Sequence, residues 1–178
     1  IAYLSWMQLC DSAFPSGRFV HSNGLEAWLA GNSAARERDI AALVQSYISE
    51  SVTTLDAVAL ALAWSHEDID DSLALDSALS THKLSESARL SSTLCGRQLA
   101  LVAQRVLAPT AALDYLARVL DNSTPGNQAV VEGIVHRCLG IDRHLAVVGY
   151  LRSAYSGLLS AAVRLGRAGP MWVQQQLF

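Results

Sequence analysis

The densest collection of reactive side-chain types in this 178-residue chain lies between Ser12 and Trp28, in SAFPSGRFVHSNGLEAW. Arg18, His21, Ser22 and Glu26 would bring a cation, a base, a hydroxyl and a carboxylate to one loop. Pro15 would fix its own φ there and Gly17 would permit a positive φ. Three kinds of chemistry are compatible with that set: catalysis, capture of a metal or phosphate, or recognition of another protein by a rigid turn.

Nucleotide hydrolysis of the P-loop type is excluded. Such a loop needs glycines whose N–H groups reach the phosphates, and a lysine beside them. The single lysine, Lys83 in STHKLS, has no glycine near it. No GxSxG elbow is present, and Cys10, Cys95 and Cys138 stand far apart without a CxxC, as reduced, buried thiols of a cytoplasmic protein would. An enzymatic or small-ligand site would have to be assembled from distant residues such as His21, Glu26 and Arg152.

Metal chemistry fares no better. His136 and Cys138 are two residues apart, about 200° around a helix, so they do not face one ion. His66 precedes Glu67, Asp68, Asp70 and Asp71, but this cluster lacks the glycine and terminal glutamate of a calcium loop. Satisfied histidines, a solvated acidic turn and no resident metal are expected. A weak contact shared between subunits is the lesser alternative.

The elements that must position these residues are helical. Ile40, Leu43, Val44, Tyr47 and Ile48 recur at helical spacing, followed by Leu55, Val58, Ala59, Leu62 and Ala63. Leu113, Leu116, Ala117 and Leu120 continue the pattern after Thr110, a candidate N-cap. Gly140 should end one helix and Asp142 should cap the next. Gly96, Gly133 and Gly149 fall inside helical patterns and predict close helix–helix approach. Arg152 interrupts the apolar run from His144 to Val163, which argues against a membrane span and for a buried helix with one polar contact. Arg164 and Arg167 are placed to complement the dipole at a helix C-terminus. Turns are expected at Pro15–Gly17, near residue 70 and at 121–127. Strand-like alternation is essentially absent. The fold class is therefore all-α, one domain over residues 1–178, with about nine or ten helices.

Half of the residues (51%) are hydrophobic and only 16% are charged, which suits a buried core plus apolar surface kept for partners. The net charge is −3 and the basic residues are scattered, so nucleic-acid binding is not indicated.

Locally, Asn23 followed by Glu26 fits a capping box opening a helix through Leu25 and Trp28. The longer series S-x-x-P-x-G-x-x-x-H-S-x-G-L-E resembles the signature of the urease accessory protein F family, in which the segment is similar to S-P-A-L-P-V-G-G-F-S-Y-S-Q-G-L-E. Ser12, Ala13, Pro15, Gly17, Phe19, Ser22, Gly24, Leu25 and Glu26 take the matching positions. The resemblance continues through Ser87–Leu101 with its Gly96-Arg97 pair, VVEGIVHRCLG, and LLSAAVRLGRAGPMWVQQQL, which contains Arg164, Gly166 and Gly169. Arg18 stands where that family often has Gly or Ala, His21 where Tyr is frequent, and Phe14 and Ser16 where aliphatics are usual. A charged Arg18 is expected to reshape the surface around the loop.

The resemblance implies an all-α, non-catalytic chaperone of nickel-enzyme maturation. Its implied partners are an accessory protein of the D or H type, a G-type GTPase and apo-urease, with a homodimer of the chain itself. Nickel would be handled by the complex, with no cofactor bound stably to this chain. No nucleic acid or membrane is expected as partner, and the location would be cytoplasmic. The Pro15–Glu26 and Arg164–Gly169 segments are the partner-facing or structural candidates. The family's basic C-terminal tail is expected to be lacking.

Overall fold

A computed structural model describes residues 1–18, 21–106 and 112–178. Its elements are α1 (Ala2–Cys10), α2 (Leu25–Gly31), α3 (Glu37–Tyr47), a π-helical segment (Ile48–Asp56), α4 (Ala57–Ser65), α5 (Ile69–His82), α6 (Glu86–Val106), α7 (Ala112–Leu120), α8 (Gln128–Cys138), α9 (Arg143–Arg164) and α10 (Pro170–Leu177). Because α3, the π-helical segment and α4 run head to tail, the described residues form nine continuous helices and no strand. The all-α expectation holds. Thr110, the expected cap, and Phe19, a matched motif position, lie outside the described residues.

Helix α8 is the axis of the molecule. Its residues from Ala129 to His136 are all buried, and it packs against α4, α5, α6, α7 and α9. A helix enclosed on every side must let its neighbours approach its backbone. At Gly133 an added Cβ would run into the Leu60 carbonyl and meet the Ala63 Cβ at 3.0 Å. A Cβ added at Gly96 would run into the Gly126 carbonyl and lie 2.8 Å from the Gln128 amide nitrogen, and one added at Gly149 would lie 2.5 Å from Trp6 Nε1 and 2.7 Å from Cys10 Sγ. All three glycines therefore mark close approach, as their placement inside helical patterns predicts. The end of α8 follows the sequence too. Gly140 sits at φ +68°, the Ile141 amide returns to the His136 carbonyl at 2.9 Å, and Asp142 caps α9 by accepting from the His144 and Leu145 amides.

Two apolar clusters share α9. Its first half supplies Ala146 and Tyr150 to the core around α4, α6, α7 and α8. Its second half supplies Leu158, Leu159, Ala161 and Ala162 to a smaller core with α2, α3 and α10. Arg152 is exposed, which corrects the expectation of a buried polar contact at that position. No helix among the described residues is long and apolar enough to cross a membrane.

The π-helical segment changes which residues α4 buries. Its i→i+5 bonding rotates the register relative to a continuous α-helix. Val58 and Leu62, expected on the inner face, are exposed, while Val52, Asp56, Leu60 and Ala63 are buried. The 121–127 turn also gains an anchor that local pattern did not supply. Asp76, wholly buried on α5, accepts from Thr124 Oγ1 (2.7 Å), the Gly126 amide (2.7 Å), the Asn127 amide (2.8 Å) and Asn127 Nδ2 (2.8 Å). Four donors compensate the lost hydration of that carboxylate. Arg97 reaches the same turn from α6, donating to the Leu120 carbonyl at 2.7 Å and to Asn122.

Replacing Gly133 with alanine should cost about 1–3 kcal/mol, because the new methyl meets helix backbone that cannot step aside. Gly157→Ala, where nothing lies within 4 Å of the new Cβ, should stabilise by up to about 1 kcal/mol. Urea unfolding of the two variants measures both.

Candidate functional site

The opening stretch folds as a compact turn between α1 and α2. Ser16 donates its amide to the Phe14 carbonyl at 2.7 Å, and Gly17 adopts φ +78°. Asn23 (φ +46°) and Gly24 (φ +89°) are both left-handed, so Gly24 is the N-cap and no side chain caps α2. The capping box expected from Asn23 and Glu26 is thus not formed. A left-handed Asn23 lies outside the N-cap geometry that would aim its side chain at the helix amides. Ser12, Pro15, Gly24 and Glu26 are exposed, Gly17, His21 and Ser22 are half-buried, and Leu25 is in the smaller core.

Arg18 points inward. Its guanidinium pairs with Glu132 on α8, with only 20% of the arginine side chain and 5% of the glutamate side chain exposed. It also lies 5.2 Å from the Tyr150 ring centroid on α9, and the Gln128 side-chain amide, turned so that its oxygen faces the guanidinium, would accept from it. The expectation that Arg18 reshapes the outer surface is corrected: the charge is spent inside. Burial lowers its pKa from the ordinary arginine value and raises those of the nearby Cys10 and Cys95 thiols, with Arg18 acting in the opposite direction on both. Cys95 is buried, while Cys10 and Cys138 are half-buried, and all three are free.

One turn beyond Glu132, His136 is completely buried with no hydrogen-bond partner on either ring nitrogen. Burial, followed by repulsion from Arg18, depresses its pKa to about 3. It is a neutral imidazole across the physiological range.

Beside Arg18 a partly open cavity of about 80 Å³ lies between the opening turn, the π-helical segment, α6, the start of α8, and α9. An ion pair in its wall joins Lys83 Nζ to Asp56 Oδ1 at 2.6 Å, both side chains more than nine-tenths buried. Tyr47 and Tyr150 flank Asp56, and their phenol pKa values are raised by burial first and by that carboxylate second. His21 lines the cavity, but Glu26 and Arg152 do not. The assembled site of His21, Glu26 and Arg152 is therefore not formed. Among the described residues no three His, Cys, Asp or Glu side chains converge as a metal site would require.

The second candidate segment serves a structural end. Gly166 (φ +68°) closes α9, with the Arg167 amide returning to the Ala162 carbonyl at 2.9 Å. Gly169 is the N-cap of α10, and its amide donates to Glu37 at 3.3 Å. Arg167 donates to the carbonyls of Ser33 (2.8 Å) and Ala35 (3.0 Å), so it fastens the turn to the α2–α3 connection rather than serving only the helix dipole. Arg164 is exposed.

Glu132, Asp56 and Lys83 were not singled out as site residues by motif or spacing. One signal was present: a carboxylate inside the apolar run AVVEGIV must find a cation once that run is buried.

Comparison with known proteins agrees with the resemblance. A family model described as UreF matches residues 34–178, beginning beyond the opening turn. The chain is similar to the urease accessory protein UreF of Paenarthrobacter aurescens, 32% identical over 162 residues, covering 90% of this chain and 71% of that protein. It is likewise similar to the protein of that name from Lachnoclostridium phytofermentans, 28% identical over 164 residues, covering 90% and 72%. Urease accessory protein UreF 2 of Brucella canis is 29% identical over 177 residues, covering 98% of this chain and 72% of its own length.

Two outcomes follow from the buried charges. Glu132→Ala should cost about 3–5 kcal/mol by leaving Arg18 unpaired, whereas Arg18→Met with Glu132→Leu should recover most of that loss, as thermal melts would register. For His136, the unfolded chain takes up a proton near 6.5 and the folded chain only near 3. Its contribution is thus intact above pH 6.5 and falls by about 1.4 kcal/mol per unit as pH drops toward 3. His136→Leu should flatten the stability profile between pH 4.5 and 6.5, above the carboxylate range.

Proposed function

Because the chain belongs to the UreF family of urease accessory proteins, we propose that it is a non-catalytic adaptor in assembly of the urease nickel centre. In this reading it binds the D/H-type accessory protein and the G-type GTPase in the cytoplasm and brings them to apo-urease. Nickel is cargo of the complex, and the chain itself works as a homodimer. GTP hydrolysis belongs to the partner, in keeping with a sequence that has no P-loop.

The family match over residues 34–178 carries this reading. The chemistry of the fold supports it. Arg18, Asp56, Lys83, Asp76 and Arg167 are all engaged in internal pairs or backbone contacts, which suits a rigid support. Apolar side chains meanwhile remain outside: Tyr3, Leu4 and Met7 on α1 are each more than 60% exposed, and Leu90, Leu94 and Leu101 share one face of α6. Binding energy spent on a partner's conformation would bias the GTPase toward one state.

The purified chain, tagged and mixed with the D/H- and G-type proteins of the same urease system, should retain both on affinity resin. It should turn over neither GTP nor model ester and thiol substrates. Retention of neither partner, or intrinsic turnover, would remove this reading.

A further inference from the structure

The cavity beside Arg18 is not used by the adaptor reading, and its lining is unusual for a space inside a helical scaffold. Two cations, Arg18 and Lys83, line it against one carboxylate, Asp56. Glu132, which pairs with Arg18, is not part of the lining. Each cation is thus already paired with a carboxylate, and what it keeps for the space is its remaining N–H groups.

The lining carries donors that no protein acceptor uses. Lys83 directs one of its three N–H bonds to Asp56. The Ser92 hydroxyl accepts from the Gln128 amide at 3.3 Å, which leaves its own hydrogen to donate. Neither the Tyr47 nor the Tyr150 hydroxyl is hydrogen-bonded to another described residue, although both line the cavity. Gln128 is the first residue of α8, so the positive end of that helix dipole adds to the same field.

From this combination we propose that the cavity is a binding site for a small oxyanion of a few heavy atoms, such as a short carboxylate. The oxyanion would accept from the two phenols and from Ser92, with the N–H groups that Arg18 and Lys83 do not give to Glu132 and Asp56 beside them. A volume of about 80 Å³ admits a ligand of that size. Hydrogen bonds to a charged acceptor in a partly dehydrated space are stronger than neutral ones, which lets so small a ligand bind. The site is independent of the adaptor reading, since it requires no partner protein.

The test uses the isolated full chain, titrated with ¹³C-formate, acetate and inorganic phosphate at constant ionic strength, with chloride as reference. Binding is followed by calorimetry and by the formate carbon resonance. Saturable binding of one equivalent of formate or acetate is expected, with chloride giving none. The doubly substituted Tyr47→Phe, Tyr150→Phe chain keeps the ring volumes and should bind at least about tenfold more weakly. Circular dichroism would verify its fold, and either single substitution serves if the double variant does not fold. No saturable binding to the unsubstituted chain overturns the proposal. So does an unchanged affinity in the folded phenylalanine variants, which would indicate an adventitious ion only. Neither result alters the partner-retention assay, so the two readings fail separately.

Discussion

The structure rests on the burial of α8 from every direction. A helix buried at every position from Ala129 to His136 must give up either side-chain volume or hydration wherever a neighbour touches it. Gly133 gives up volume, and α4 settles on its backbone. Glu132 gives up hydration, and Arg18 supplies the compensating charge from the opening turn. His136 gives up its proton, because no acceptor reaches it and a second cation stands nearby.

That constraint links the opening turn to the core. Gly17 lets the chain reverse, Arg18 enters, and its guanidinium spans from Glu132 on α8 to the Tyr150 ring on α9. The charge at position 18 is thus matched by an acid on the central helix. The pair fixes where the turn sits more than it adds net stability, since two desolvated charges barely repay their lost hydration. Asp76 does for the 121–127 turn what Glu132 does for the first, by collecting amide donors instead of a cation.

A scaffold built this way suits the family to which the chain belongs. Charged groups turned inward stiffen the turns, while α1 and α6 retain apolar positions on the outside. The same inward placement leaves a polar cavity where three such arrangements meet: the Arg18 turn, the π-helical segment with Asp56, and the start of α8. An unbroken α-helix through Ile48–Asp56 would present a different face to that space.

Local chemistry was legible in the residues themselves. Helical period, the Gly140–Asp142 stop and start, the left-handed Gly17, and the close approach at Gly96, Gly133 and Gly149 all follow from neighbours within a turn or two. Family membership was legible in local series too, among them VVEGIVHRCLG and LLSAAVRLGRAGPMWVQQQL, which lie inside the residues that the family model matches. The partners of charges were not legible. Arg18 finds Glu132, Lys83 finds Asp56 and Asp76 finds Asn127 across long stretches of chain, and only the packed helices bring them within reach. Where packing overrode the period, at Val58 and Leu62, an i→i+5 segment had rotated the helix. Sequence determined which helices form and where they turn. Tertiary structure decided which charges are buried and with whom, because desolvation depends on everything that surrounds a group, and spacing along the chain does not report it.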